Sequence, residues 1–244
     1  AFFESNEEFA AESNDTDGAD ESTESIATVV PSQTSATGAA GATDFNDTGT
    51  LLAIGDSVLE WNIDAQSSIP DVVAARVDLE SRNEAIGGSR VLDAGQSGIP
   101  QQYISGDWEW VIIDGGANDV GDACGCGACM TQVDRIISPN TAQGAMPELI
   151  GRVRADGAKV VLLGYYSVLA EEFGGCGPEL LAFNDRYRRL AADTNGVYFV
   201  DMGRAIARGQ NELLDSDGVH PSVAGSAAVG RLIADLIARV DGLN

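Results

Sequence analysis

Residues 50–57 read TLLAIGDS, a short apolar segment that ends in a glycine, an aspartate and a serine. A short apolar run that stops at turn-forming residues is typical of a fully buried β-strand. Comparable segments follow at residues 83–86, 110–114, 159–163 and 197–200. Segments with helical periodicity separate or follow them, starting at residue 59 and spanning residues 72–79, 147–154, 180–194 and 223–240.

This alternation of strands and helices predicts an α/β fold. Parallel strands need long crossover connections, and these are usually helices that pack on the faces of the sheet. We therefore expect a central five-stranded parallel sheet that is covered by helices on both faces. Ligands bind such sheets beyond the carboxyl ends of the strands, so functional residues are expected at that edge.

The charge of the chain argues against two classes of partner. The 244 residues include 38 acidic and 14 basic ones, which gives a net charge of −24 at pH 7. A field of that sign repels nucleic acid and anionic membranes, and the sequence has no run of about 20 apolar residues for membrane insertion. The single lysine, Lys159, fits either adaptation to salty surroundings or ordinary acidic solubility.

Residues 1–47 differ in composition from the rest of the chain. They are rich in small and acidic residues and contain no lysine or arginine. Such a segment buries too little apolar surface to offset its conformational entropy. We expect a disordered or loosely attached acidic leader at residues 1–47 and one folded domain at residues 48–244. Because the sequence starts at Ala1 without a basic and apolar leader, we also expect a secreted or periplasmic protein whose signal peptide has been removed.

The chain contains one histidine, His220. A serine hydroxyl is a weak nucleophile at neutral pH and needs a base that takes its proton, a role that histidine usually fills. Ser57 follows the first predicted strand, and Asp217 lies three residues before His220. We predict a triad in which Ser57 is the nucleophile, His220 is the general base and Asp217 orients the imidazole.

Three groups at the same predicted edge could form an oxyanion hole. Ser57 lies where a strand turns into a helix, so its N–H is at the positive end of that helix. Gly88 has no Cβ and can offer its N–H at close range, while Asn118 carries two side-chain donors. Ser57, Gly88 and Asn118 are therefore the predicted oxyanion donors.

Four short motifs occur in order along the chain: GDS at residues 55–57, NEAIGG at 83–88, GAND at 116–119 and DGVH at 217–220. In this order and spacing the chain resembles the SGNH, or GDSL-type, hydrolases over about residues 50–240. The resemblance implies a flavodoxin-like fold with three α/β/α layers. It also implies ester hydrolysis without a metal or other cofactor, by the same triad and the same three oxyanion donors.

The four cysteines, Cys124, Cys126, Cys129 and Cys176, allow two interpretations. A Cys-x-Cys-x-x-Cys cluster with a distant fourth cysteine can bind zinc or an iron–sulfur cluster, and the same residues can form two disulfides. We favour disulfides because an exported protein meets an oxidising environment. We expect one bond between the cluster and Cys176, and none between Cys124 and Cys126.

The remaining polar and aromatic residues near the motifs receive supporting roles. Asp56 and Asp119 are expected to be buried or capping groups, and Asp215 a turn residue. Candidates for the lining of an acyl pocket are Trp108, Trp110, Tyr165, Tyr166 and Phe173, although core packing is the favoured role for Trp110.

The leading hypothesis is a serine esterase that hydrolyses carboxylic esters, with short acyl groups, through an acyl-enzyme. Its substrate would be a small-molecule or glycan ester. A second hypothesis is a carbohydrate O-deacetylase, similar to acetyl xylan esterases, with the same catalytic residues. A third is a non-catalytic binding protein organised by a four-cysteine metal site.

Overall fold

Five parallel strands form the sheet of this protein, whose computed structural model describes residues 50–166 and 175–243. The strand order is β2-β1-β3-β4-β5, and all four neighbouring pairs are parallel. The strands are β1 (Thr50–Ile54), β2 (Glu80–Asn83), β3 (Trp110–Ile113), β4 (Lys159–Gly164) and β5 (Val197–Asp201). This topology confirms the predicted α/β fold class.

Helices cover both faces of the sheet. Successive side chains of a strand point to opposite faces, so the complete burial of β1 and β3 requires cover on each side. The helices of the described residues are α1 (Ser57–Glu60), α2 (Ile69–Val77), α3 (Ile99–Gln102), α4 (Ala117–Cys124), α5 (Met130–Ile136), α6 (Ala145–Ala155), α7 (Gly177–Asp193) and α8 (Val223–Asp241). Helix α2 packs on α8, while α5 packs on α6 and α7. None of these helices is both long enough and apolar enough to cross a membrane.

The second strand lies earlier than the sequence predicts. β2 runs from Glu80 to Asn83, whereas the apolar signal lies at residues 83–86. β2 is an edge strand, and three of its four residues are exposed. Its polar sequence therefore gives no sign of a buried strand, and the apolar residues mark the loop that follows it.

Several helices also differ from the prediction. The helix predicted from residue 59 is only the single turn α1, which begins at Ser57. Helix α2 begins at Ile69 rather than residue 72 because Ser68 and Asp71 form a capping box at its start. Helices α3, α4 and α5 were not predicted, since each is short and rich in polar or small residues.

The cysteines form two disulfides, Cys124–Cys129 and Cys126–Cys176. The second joins the end of α4 to the start of α7, which confirms the predicted link from the cluster to Cys176. The sulfurs are thus bonded to one another, and the described parts of the chain contain no other cluster of side chains that could hold a metal. The structure therefore agrees with the disulfide interpretation that the sequence analysis favours.

Two predictions fall outside the residues that the structure describes. These are the acidic leader at residues 1–47 and the contribution of Phe173 to an acyl pocket.

The two disulfides should differ in their contribution to stability. Cys126 and Cys176 are 50 residues apart, whereas Cys124 and Cys129 are only 5 residues apart. Removing the Cys126–Cys176 bond therefore releases more conformational entropy in the unfolded chain. Replacing Cys126 and Cys176 by serine should lower the free energy of unfolding by about 4 kcal/mol, against about 2 kcal/mol for Cys124 and Cys129. Urea unfolding without reductant measures the free energy of unfolding of both variants.

The two double variants serve as controls for each other, because each pair includes one cysteine that is at most 2% exposed. Equal losses, or a larger loss for the short loop, would contradict this ranking.

Candidate active site

Ser57, His220 and Asp217 lie in one hydrogen-bonded row. The Ser57 Oγ is 2.7 Å from His220 Nε2, and His220 Nδ1 is 2.5 Å from Asp217 Oδ2. The other carboxylate oxygen of Asp217 accepts the backbone N–H groups of Val219 and His220, both at 2.9 Å. The structure therefore brings together the three predicted triad residues, although Ser57 and His220 are 163 positions apart in the sequence.

Hydrogen bonds to two aspartates, Asp56 and Asp114, fix the turn that carries Ser57. Asp56 caps α1 by accepting the Val58 N–H at 3.0 Å, as predicted for a capping residue. The Asp56 N–H in turn donates to Asp114 Oδ1 at 2.8 Å. Asp114 lies so close that a Cβ on Gly55 would be 1.7 Å from the same oxygen. Only glycine therefore fits at position 55, and the turn from β1 into α1 is fixed.

A buried glutamine holds the same turn from the side. Gln102 Oε1 accepts the Gly55 N–H at 2.6 Å, and Gln102 Nε2 donates to the Gly55 carbonyl at 2.9 Å. The same nitrogen also lies 3.0 Å from Ser89 Oγ. Gln102 thus connects the serine turn to the loop after β2, a role that the sequence did not reveal.

The loop that carries His220 is closed on itself before α8 begins. The Asp215 N–H donates to the His220 carbonyl at 2.7 Å, and the Gly218 N–H donates to the Asp215 carbonyl at 2.9 Å. Gly218 has a φ of 69°, a left-handed conformation that favours glycine. The Tyr166 hydroxyl donates to the Val219 carbonyl, which ties this loop to the residues after β4.

Two of the three predicted oxyanion donors, Ser57 and Asn118, border the same small cavity. Asn118 Nδ2 donates to the Ser89 carbonyl at 3.1 Å, which leaves its second N–H for a ligand. The Ser57 N–H, in the first position of α1, has no acceptor within the described residues. A Cβ on Gly87 would lie 3.7 Å from the Ser57 Cβ, and Gly88 follows with a φ of 74° and open space at its Cβ position. Gly87 therefore borders Ser57, and Gly88 is the next residue of the same loop.

Asp119 holds the neighbouring loop in place. Its carboxylate accepts the N–H groups of Val91 and Leu92, each at 2.8 Å. Helix α4, which carries Asn118 and Asp119, starts after Gly116, where φ is 121° and a Cβ would lie 2.9 Å from the Phe183 ring. Asp119 is therefore the buried supporting group that the sequence predicted.

A small cavity opens beside Ser57 and His220, with a volume of about 100 Å³. Tyr165 lines it, and its hydroxyl accepts the Ala117 N–H at 2.7 Å. Tyr166 is buried beneath the histidine loop rather than exposed in the cavity. Trp110 belongs to the core, and Trp108 precedes β3 at the opposite, amino end of the sheet. The prediction that Trp108 could line an acyl pocket is therefore wrong.

Two carboxyl groups beneath the serine turn have raised pKa values. Burial raises the pKa of Asp56 to about 6. Burial, and then the charge of Asp56, raise the pKa of Asp114 well above its usual range. Asp114 is completely buried, and its Oδ2 has no hydrogen-bond partner in the described structure. Two such close carboxyl groups do not both ionise readily, so we expect Asp114 to keep its proton at neutral pH.

The pKa of Asp217 is shifted in the opposite direction. Burial alone would raise the pKa of Asp217, but hydrogen bonds from the His220 ring and from the His220 and Val219 N–H groups lower it below its usual value. Asp217 is therefore ionised at neutral pH and can stabilise a positive charge on His220.

Trp61 was not among the predicted site residues. Its indole lies parallel to the His220 ring, with centroids 3.9 Å apart and planes inclined by 7°. The indole N–H donates to Asp215 Oδ2 at 2.9 Å. Asp215 also forms the predicted turn, where its carboxylate accepts the Ser216 N–H at 2.6 Å. The hydrogen bond from the Ser216 N–H, and to a smaller extent the one from Trp61, lower the pKa of Asp215 below its usual value.

The profile of the family described as GDSL-like Lipase/Acylhydrolase matches residues 53–228. The match covers more than half of the chain, so the chain belongs to the GDSL-like lipase/acylhydrolase family. The protein is accordingly a hydrolase of the esterase type. No match was found among curated proteins.

Solved structures with the same fold include several hydrolases. A protein proposed to be an SGNH hydrolase, from Slackia heliotrinireducens, is 22% identical, with a TM-score of 0.53 over 78% of this chain and 100% of that one. The psychrotrophic esterase EstA from Pseudoalteromonas sp. is 18% identical, with a TM-score of 0.55 over 80% and 99%. A carbohydrate esterase family 2 enzyme from Corynascus thermopiles is 17% identical, with a TM-score of 0.55 over 80% and 67%. At these identities the similarity establishes the SGNH hydrolase fold.

The buried carboxyl pair predicts a specific pH dependence of stability. A carboxyl group whose pKa is raised by folding binds more protons in the folded than in the unfolded state. Its contribution therefore makes stability fall as pH rises from the unfolded pKa, near 4, through the folded pKa. Asp114→Asn removes the ionisation of the group whose pKa folding raises well above its usual range. The stability of this variant relative to wild type should thus improve steadily as pH is raised from 4.5 to about 8.

Urea unfolding of both proteins at several pH values measures this difference. Asp193→Asn, which changes an exposed carboxylate, is the control and should give a curve parallel to that of wild type. A difference between Asp114→Asn and wild type that is the same at every pH would contradict the assignment of a buried proton to this pair.

Proposed function

We propose that the protein is a serine esterase that hydrolyses short-chain carboxylic esters through an acyl-enzyme. The observation that carries this proposal is the contact of 2.7 Å between Ser57 Oγ and His220 Nε2, with Asp217 on the far side of the ring. A hydroxyl within this distance of an imidazole can pass its proton directly to the ring. Membership of a hydrolase family supports the same reading.

The first half of the reaction forms the acyl-enzyme. His220 Nε2 takes the proton from Ser57 as its Oγ bonds to the ester carbonyl carbon, and the carbonyl electron pair moves onto oxygen. That oxyanion accepts hydrogen bonds from the Ser57 N–H, the Gly88 N–H and the Asn118 amide. When the carbonyl re-forms, the bond to the alcohol oxygen breaks and His220 gives its proton to the departing alcohol.

The second half uses the same groups with water. His220 removes a proton from water, which attacks the acyl carbon through a second oxyanion. The bond to Ser57 Oγ then breaks, His220 returns the proton to Ser57, and the carboxylic acid leaves. Throughout, Asp217 stabilises the imidazolium and fixes which nitrogen faces the serine.

The cavity supports a small acyl group. Its volume of about 100 Å³ is well below the about 300–1,000 Å³ of pockets that hold drug-sized ligands. Its walls include the apolar side chains of Val58, Ala117 and Val219, which suit the methyl or propyl end of a short acyl chain.

Hydrolysis of p-nitrophenyl acetate tests the proposed nucleophile and base. Ser57→Ala should lower kcat by about 10⁴-fold or more, because the reaction then lacks its nucleophile. His220→Ala should be nearly as damaging, since the chain has no second histidine. Ser67→Ala is the control: its hydroxyl donates only to the Ala65 carbonyl on an exposed turn, so activity should be unchanged.

EDTA should leave the rate of the wild-type protein unchanged, because no proposed step uses a metal. Full activity in Ser57→Ala, or a loss of wild-type activity with EDTA, would overturn the proposed mechanism.

A carbohydrate O-deacetylase is the second candidate, because an acetyl group fits the cavity and the fold is shared with a carbohydrate esterase. A panel of p-nitrophenyl esters of graded acyl length, with acetylated xylan added, separates the two candidates. We expect acetate and butyrate esters to be cleaved at least about tenfold faster, by kcat/KM, than decanoate esters, which exceed the cavity. Preferred cleavage of decanoate would contradict this assignment. Faster release of acetate from xylan than from alkyl acetates would favour the deacetylase.

A further inference from the structure

The imidazole of His220 is bounded on both edges and on one face. Ser57 lies at Nε2, Asp217 lies at Nδ1, and the indole of Trp61 covers one face at a centroid distance of 3.9 Å. Only 18% of the His220 side chain is exposed. The proposed esterase mechanism uses the two edges of the ring and leaves the stacked face unexplained.

Trp61 is tied to both partners of the proton transfer. Its backbone N–H donates to the Ser57 carbonyl at 2.9 Å, so it lies one helical turn after the nucleophile. Its indole N–H donates to Asp215 Oδ2 at 2.9 Å, and the Asp215 N–H donates to the His220 carbonyl at 2.7 Å. The indole therefore cannot move away from the imidazole without breaking a hydrogen bond to the histidine loop.

Stacking supplies a constraint that the two edge contacts do not. The torsion between the Cβ and the ring of a histidine has a broad, nearly two-fold profile, so the plane of the ring is weakly fixed by the side chain itself. Hydrogen bonds at Nδ1 and Nε2 fix the ring within its plane, whereas a parallel indole at 3.9 Å fixes the plane. An aromatic face also attracts a cation, and His220 becomes a cation when it takes the serine proton.

We propose that Trp61, anchored by Asp215, is a positioning residue for the general base: it fixes the plane of the His220 ring and stabilises its protonated form during turnover. This role rests on the proposed esterase mechanism. It also gives Asp215 a function beyond that of a turn residue.

Kinetics of four variants test the role. Trp61→Leu removes the aromatic face, and we expect kcat to fall by about 10–100-fold while KM changes little, because the general base is displaced but the cavity beside Ser57 remains. Trp61→Phe keeps an aromatic face and should restore kcat to within about threefold of wild type. Asp215→Ala removes the anchor and should lower kcat by an intermediate factor. Trp108→Leu removes an indole at the opposite end of the sheet and should leave kcat unchanged.

Emission of the indole gives a readout that needs no turnover. A protonated imidazole in contact with an indole quenches its fluorescence, and His220 is the one histidine in the sequence. The charged groups around its ring, Asp217, Asp215 and Asp56, are all carboxylates. Wild-type emission should therefore fall when the solution is acidified. Both Trp61→Phe and His220→Gln should abolish that transition.

The outcomes separate this inference from the proposed function. If Ser57→Ala is inactive and the emission titrates as expected, but Trp61→Leu keeps kcat within twofold of wild type, the positioning role is wrong while the esterase stands. An unchanged emission titration in Trp61→Phe, or a phenylalanine that restores no more activity than leucine, would also overturn it. Should Trp61→Leu fail to fold, Trp61→Phe, Asp215→Ala and the wild-type titration still decide.

Discussion

The site depends on a carboxyl group buried beneath the turn that follows β1. β1 pairs with β3 in parallel, with Ile54 opposite Ile113, so Gly55 and Asp114 are the next residues on the two neighbouring strands. Asp114 Oδ1 accepts the Asp56 N–H at the place where any side chain at position 55 would collide with it. The position of Ser57 is thus set by the contact between the ends of β1 and β3.

Burying the Asp114 carboxyl group costs desolvation free energy, and its raised pKa reflects that cost. A carboxyl group without solvent and with one unpartnered oxygen would be expensive as an anion, which is why the pKa of Asp114 is raised. A proton on Asp114 removes most of that penalty, and the remaining oxygen still anchors the turn. Asp217 differs because three donors surround it, so its charge is retained for the imidazole. The pKa values of these two aspartates are therefore shifted in opposite directions, because Asp114 is fully buried whereas Asp217 is partly exposed and accepts three hydrogen bonds.

Much of this could be read from the sequence, for identifiable reasons. β1, β3 and β4 lie inside the sheet, and burial on both faces makes them visible as apolar segments. β5 is an edge strand, but it packs against α7 and keeps an apolar sequence that also predicts a strand. β2 was misplaced because an edge strand faces solvent and needs no apolar residues. The triad was predictable because a single histidine leaves one possible imidazole base.

Contacts between distant segments that no motif marks could not be predicted. The stacking of Trp61 on His220 and the anchoring of Gly55 by Gln102 depend on how close separate loops approach, which no local pattern encodes. The spacing of four residues between Ser57 and Trp61 was a usable signal, since residues one helical turn apart share a face. The Cys126–Cys176 link was predicted in general form because Cys176 was the one cysteine outside the cluster.

The central claim is that Ser57 attacks an electrophile with His220 as its base. Reaction with diethyl p-nitrophenyl phosphate, followed by peptide mass mapping, tests it directly, because a phosphorylated serine is stable and can be located. The account predicts one diethylphosphoryl group for each chain, on the peptide that contains Ser57, and no adduct in His220→Ala on the same time scale. An unmodified Ser57 peptide, a label on another residue, or equal labelling without His220 would contradict it.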